Sequence, residues 1–291
     1  STIPAMVGML LTAVVLPVLA VMSVAKHDGL KNLAGSIHPA FATVYAVLIH
    51  LLIGPFVAIP RTASTSFEMA IVPFLSDGVS AESLLIMRCI YSFIFFVIAT
   101  MVALKPTRLK DLLGKVMTPI LLILIAVIFV GVVVKFPTVV RQADASYKGH
   151  ALQHGFVTGY QTMDILAAFN FGAVIAMNIE AFGVKNRKGV AKETILAGIG
   201  AGILLCIVYS ATAYIGVLCS SKVGNVENGT QILTYAVHAC FGIYGKVLIG
   251  IIFFIACFNV CVGLLCCCSA YFHELVPKIS YFKWLLVFAV F

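Results

Sequence analysis

Long apolar runs with few or no charges constrain the fold of this chain more than any other feature. They occupy residues 4–25, 37–60, 84–104, 116–134, 160–179, 194–218 and 247–272, and another begins near 281. A helix needs about 20 mostly apolar residues to cross the hydrocarbon core of a bilayer. Since 62% of the residues are hydrophobic and 10% are charged, the composition excludes a soluble globular protein. The sequence predicts an all-α, polytopic membrane protein with about seven full spans and part of an eighth.

The two ends of the sequence indicate an internal fragment. It begins at Ser1 without an initiator Met, and only eight apolar residues, 284–291, follow the last charge. Eight residues are too few to cross a bilayer. We therefore expect residues 1–291 to form a single transmembrane transporter domain that is truncated at both ends.

The basic residues indicate the orientation in the membrane. Twelve of the 19 Lys and Arg residues lie in alternate loops, 26–32, 105–115, 183–192 and 273–283. The positive-inside rule predicts that these loops face the cytoplasm. The net charge of +8 is thus a topology signal and does not indicate a nucleic-acid partner.

The run between Asp164 and Glu180 is short and polar for a span. Its 15 uncharged residues would form a helix of about 22 Å, and its centre contains Asn and Gly. A short, Gly-interrupted apolar segment is typical of a transporter binding site, because a broken helix exposes backbone N–H and C=O groups in mid-membrane. We predict a helix break at 168–172 and substrate contacts from Ala168, Phe169, Asn170, Phe171 and Gly172.

The side chains of Asn170, Phe169 and Phe171 also have a purely structural explanation. Asn170 could hydrogen-bond to a neighbouring helix, because an unpaired amide is costly in an apolar span. Phe169 and Phe171 could serve packing alone. Both alternatives stay open at this point.

A second polar stretch, 54–68, follows the apolar centre of the second span. Two prolines, an Arg, several hydroxyls and a Glu must face protein or water in this position. We predict that Gly54 and Pro55 border the substrate site. Arg61 and Asp164 each lie about 9 Å outside the presumed mid-membrane level, so they could form a gating pair. The alternatives are that Arg61 binds a substrate carboxylate or that it extends to the membrane interface.

Asn259 is the single amide in the run 247–272. Monovalent hard cations prefer oxygen ligands, so Asn259 is the candidate cation-binding residue. The sequence contains no recognisable enzyme motif, and it predicts no catalytic residue, no bound metal and no cofactor apart from a coupling ion.

Three stretches of the chain resemble the branched-chain amino acid carrier family of bacteria, the liv-type cation symporters. They are 54–63 with 66–68, 159–164 leading into 171–172, and 256–264 followed by 270–272. The resemblance implies a twelve-span carrier in the bacterial plasma membrane with a leucine-transporter-like core of two inverted five-helix repeats. In that scheme the present spans correspond to helices two to eight and the start of nine.

The same resemblance implies the function. The expected activity is import of leucine, isoleucine and valine together with Na⁺ or H⁺, so the expected partners are an amino acid, a monovalent cation and the lipid bilayer. The alternatives are a proton-coupled carrier of another neutral amino acid and a membrane enzyme or sensor whose spans only bind a ligand.

Overall fold

The apolar runs form helices in the computed structural model, which describes residues 2–27, 29–75, 78–104, 111–136, 149–181, 183–184, 186–219 and 229–290. No strand occurs within these ranges. The α-helices are α1 (Thr2–Leu10), α2 (Leu16–Lys26), α3 (Leu30–Gly35), α4 (Pro39–Leu51), α5 (Ala58–Ala70), α6 (Ala81–Ala103), α7 (Thr118–Lys135), α8 (Ala151–Gln161), α9 (Asp164–Ala181), α10 (Arg187–Cys219), α11 (Gly229–Phe241), α12 (Ile243–Leu275) and α13 (Tyr281–Val290).

Wider π-helical turns continue some of these helices. Leu11–Val15 joins α1 to α2, Leu52–Phe56 joins α4 to α5, and Asp111–Met117 precedes α7. A 3₁₀ turn, Val72–Phe74, follows α5. Such turns place an irregular backbone inside an otherwise regular helix, and π-helical turns are frequent at functional sites.

Apolar helices occur at every predicted span. Among the described residues, six helical segments are long and apolar enough to cross a membrane, and α8 with α9 would make a seventh if this bent pair is one span. The shorter α13 is also apolar. The prediction of a polytopic, all-helical membrane protein is confirmed by these segments. The predicted inverted-repeat core stays a prediction.

The second span is longer than the sequence predicted. Helical structure continues from Pro39 to Phe74, whereas the charge-free run ends at Pro60. Pro60 does not stop the helix because it lies in the first turn of α5, where its missing N–H has no intrahelical partner to lose. The polar residues from Arg61 to Glu68 therefore lie on a helix.

The contacts within the chain group into two units. One comprises Ser1–His50 and Val140–Val217, and the other comprises Leu51–Val139 and Leu218–Phe291, as far as these ranges are described. We describe each unit by itself. The prediction of a single transmembrane domain stays a prediction.

Glycines permit the closest helix contact in the first unit, between α1 and α8. A Cβ atom at Gly8 would overlap the carbonyl oxygen of Leu152, and one at Gly155 would overlap that of Ala5. The Thr12 hydroxyl donates a hydrogen bond to the carbonyl of Phe156 at 2.9 Å across the same interface. Membrane helices pack in this way because small residues let their backbones approach.

Helix α2 packs against α9 and α10 in the same unit. Ala20 and Val21 of α2 form a buried cluster with Ala168 of α9. A Cβ atom at Gly198 of α10 would lie 2.9 Å from Val21 Cγ1. Helix α9 is therefore held along α2 by close apolar contacts.

Helix α12 is the centre of the second unit, where it packs against α5, α6, α11 and α13. A Cβ atom at Gly250 of α12 would lie 3.2 Å from the Cα of Ala70 in α5. The Phe95 ring of α6 contacts Phe254 and Phe258 edge-on, with ring centroids 6.0 and 5.7 Å away. These contacts hold the end of α5 and helix α6 against α12.

The α1–α8 contact predicts that Gly155→Ala destabilises the protein. The added methyl group would overlap the Ala5 backbone, and overpacking of this kind costs about 1–3 kcal/mol. The midpoint of thermal unfolding in detergent, measured on the full-length protein, should fall. Gly200→Ala in α10 is the matched control, because nothing lies within 4 Å of its Cβ position. Equal midpoints for the two variants would contradict the packing described here.

Candidate functional site

A bend separates α8 from α9 in the first unit. The two helices meet at 42°. Met163 at the junction has φ of 61°, a conformation that non-glycine residues adopt uncommonly. The N–H groups of Thr162 and Met163 donate to the carbonyls of Gly159 and Tyr160, three residues earlier, instead of following the α-helical pattern. This junction is where the chain departs from a continuous helix.

The predicted break at 168–172 is wrong. Helix α9 is continuous from Asp164 to Ala181, and the interruption lies five to six residues before the predicted start of the break, at Thr162 and Met163. Low helix propensity at Asn170 and Gly172 is overcome by packing, since Ala168 and Phe169 contact α2 and Gly172 lies against Val24. Phe171 is half-buried.

Asp164 begins α9 directly after the bend. Its carboxylate oxygen Oδ2 accepts hydrogen bonds from the Tyr209 hydroxyl at 2.5 Å and from the Thr162 hydroxyl at 2.7 Å. Both distances are typical of O–H donors to an ionised carboxylate. Within the described part of its unit, Asp164 is thus stabilised by two hydroxyl donors, one of them from α10.

Asn170 lies two turns further along α9 and is 98% buried. It faces the ring of His50, which is buried near the end of α4 and donates from Nδ1 to the carbonyl of Ala46 at 2.8 Å. The amide nitrogen Nδ2 of Asn170 has no hydrogen-bond partner among the described residues. A buried donor without a partner costs about 1–3 kcal/mol, which a ligand's oxygen would recover. Asn170 is therefore the strongest candidate for a ligand contact in this unit.

Gly54 and Pro55 form a kink in the second unit. Gly54 has φ of −83° and ψ of −117°, which is not helical, and Pro55 cannot donate a backbone hydrogen bond to the preceding turn. A Cβ atom at Gly54 would lie 2.9 Å from the sulfur of Cys268 in α12, so the kink lies tightly on that helix. The predicted role of both residues in substrate binding stays a prediction.

Arg61 is exposed on α5, and its positive charge interacts electrostatically with the Cys257 side chain of α12. Asp164 belongs to the first unit and Arg61 to the second. The gating pair therefore stays a prediction. Asn259, the predicted cation ligand, is half-buried in the continuous helix α12, and its role stays a prediction as well.

No role was predicted from the sequence for three residues of these units, Arg88, His50 and Tyr209. Arg88 of α6 forms an ion pair with Glu68 of α5 and lies 6.0 Å from the centre of the Phe67 ring. Its position as a lone charge inside an apolar span was a signal that a partner exists. His50 gave the same kind of signal as an isolated polar residue, whereas Tyr209 gave none.

A family model described as "Branched-chain amino acid transport protein" matches residues 1–291. The chain belongs to this family. The chain is similar to the branched-chain amino acid permeases BrnQ and BraB of Bacillus subtilis. It is 36% identical to BrnQ over 98% of its length and 36% identical to BraB over 94%. The branched-chain amino acid transport system 2 carrier protein of Pseudomonas aeruginosa is 36% identical over 98% of the chain.

The chain spans 64%, 61% and 64% of the lengths of these three relatives. No solved structure matches the chain. The resemblance seen in the sequence is confirmed. The family consists of transport proteins, so the prediction that the chain is not an enzyme is also confirmed.

The hydrogen bond from the Tyr209 hydroxyl to the Asp164 carboxylate is expected to stabilise the folded protein. Removing one donor from an intramembrane carboxylate, as in Tyr209→Phe, should lower the free energy of unfolding by about 1.5–3 kcal/mol. Unfolding of the full-length protein should be measured in a double-mutant cycle with Asp164→Asn, which weakens the acceptor.

The cycle should give non-additive effects, with a smaller penalty for Tyr209→Phe when it is combined with Asp164→Asn. Tyr244→Phe is the control, because the Tyr244 side chain is 80% exposed at the start of α12. Additive effects, or an equal loss for the control, would contradict the proposed stabilisation.

Proposed function

We propose that this chain acts in a secondary active symporter that imports leucine, isoleucine and valine together with Na⁺ or H⁺ across a bacterial cell membrane. Family membership over the whole chain supports transport, and relatives named as branched-chain amino acid permeases support this substrate class. The helices long enough to cross a membrane fit the same assignment.

The buried amide of Asn170 carries the proposal for the substrate contact. An α-amino acid presents a carboxylate, which accepts hydrogen bonds, next to an apolar side chain. The unpartnered Nδ2 of Asn170 is a donor for that carboxylate, and the neighbouring Phe169 and Phe171 rings provide apolar surface. A side chain of leucine, isoleucine or valine gains free energy from such apolar surroundings, whereas a polar side chain would lose its hydration.

The bend before Asp164 provides a site where the two halves of the span can change their angle. Met163 already has an unusual backbone conformation, and Thr162 and Tyr209 hold the adjacent carboxylate. In alternating access, a cation that binds the outward-facing state more tightly shifts the protein toward that state and increases substrate affinity there. We propose Asn259 as one oxygen ligand for this cation.

Uptake of radiolabelled leucine into vesicles tests the proposed function. The full-length protein should accumulate leucine under an inward Na⁺ gradient or an inward H⁺ gradient, and unlabelled isoleucine and valine should compete. The gradient that supports accumulation identifies the coupling ion. Protein-free vesicles are the control, and no accumulation under either gradient would refute the symporter.

The substrate contact predicts that Asn170→Leu weakens leucine binding. Leu keeps the branched shape of Asn but lacks the amide, so the KM of uptake should rise about tenfold, as expected for the loss of one hydrogen bond to a charged group. Asn178→Leu is the matched control, because Asn178 lies on the same helix and is only half-buried. An unchanged KM in Asn170→Leu, or an equal rise in both variants, would contradict the contact.

A further inference from the structure

The second unit contains an open cavity of about 570 Å³ where the end of α5, helix α11 and the start of α12 meet. Its wall includes the carboxylate of Glu68, the ammonium group of Lys246 and the imidazole ring of His238. Met69, Val72 and Tyr235 add apolar surface. The volume falls within the range of about 300–1,000 Å³ that is typical of small-molecule sites.

The two charges of this cavity are held in place by different partners. The Glu68 carboxylate pairs with Arg88 through its oxygen Oε1, and the Lys246 ammonium donates to the carbonyl of Pro73 at 3.1 Å. An ammonium group has three N–H donors and a carboxylate has two oxygens, so each group retains capacity for a ligand. The cavity therefore offers both an anion-binding and a cation-binding group.

Close backbone contacts make the cavity wall rigid. A Cβ atom at Gly245, next to Lys246, would overlap the carbonyl of Val237 in α11. Gly242, with φ of 59°, forms the tight turn that brings α11 back against α12. Further along α12, Gly250 fits against Ala70 of α5. The helices that carry Lys246 and Glu68 are thus fixed relative to each other within this unit.

We propose that this cavity binds a zwitterionic amino acid on the outer side of the membrane, separately from the contact at Asn170. Lys246 binds the α-carboxylate, Glu68 binds the α-ammonium group, and the apolar side chain lies against Met69, Val72 and Tyr235. The distribution of basic loops predicts that these helix ends face away from the cytoplasm. The proposal rests on the proposed function, because it takes the ligand to be the transported amino acid.

Equilibrium binding of radiolabelled leucine to the purified full-length protein tests this site. Lys246→Met, which keeps the aliphatic stem and removes the charge, should bind one leucine fewer per chain than the wild type, or bind it about tenfold more weakly. Lys283→Met at the start of α13 is the matched control and should bind as the wild type does. Val72→Trp, which fills the cavity without changing a charge, should have the same effect as Lys246→Met and provides a second test if that variant fails to fold.

The chemistry of the ligand is tested in the Asn170→Leu variant, where the other contact is weakened. Leucine amide lacks the carboxylate and 4-methylpentanoate lacks the ammonium group, so each should compete with leucine about tenfold more weakly than leucine itself. Equal competition by either compound would overturn recognition of a zwitterion.

The outcomes separate the cavity from the proposed function. If the wild type accumulates leucine but the Lys246→Met and Val72→Trp variants bind it as Lys283→Met does, the cavity is not an amino-acid site and the symporter stands. If the wild type accumulates no leucine under either gradient, the proposed symporter function is refuted. The proposal that the cavity binds the transported amino acid is then withdrawn as well.

Discussion

The structure depends on one constraint, which is that backbone N–H and C=O groups have no water to bond with in the hydrocarbon core of a membrane. Regular helices satisfy this constraint over most of the described chain. Irregular backbone at the Gly54 kink and at the Thr162–Met163 bend is costly there unless other groups stabilise it. At the bend, the Thr162 hydroxyl donates to the backbone carbonyl of Gly159 at 2.6 Å. At the kink, Gly54 packs closely against Cys268 of α12.

Close packing of small residues gives these interruptions a fixed frame. The glycines of α1 and α8 bring two backbones together just before the bend, and α2 holds α9 just after it. Among the described residues of α9, the amide nitrogen of Asn170 is the one buried side-chain N or O atom that has no hydrogen-bond partner. A buried polar atom without a hydrogen-bond partner is uncommon in native structures, which makes Asn170 a candidate ligand contact.

The sequence predicted the spans because charges are rare and their positions mark the helix ends. It also singled out Gly54 and Pro55, whose backbone chemistry is local. It misplaced the break in α9, since propensity at Asn170 and Gly172 could not reveal the contacts with α2 that keep this segment helical. The donor from Tyr209 to Asp164 joins residues 45 positions apart and leaves no local pattern, so only the folded arrangement shows it.

A cryo-electron microscopy map of the full-length protein with leucine and the coupling ion tests the central claim most directly. The account predicts leucine density with its carboxylate within hydrogen-bond distance of the Asn170 amide, next to an unbroken α9 that begins at Asp164. Leucine density away from Asn170, with this amide paired to a protein group, would contradict the account.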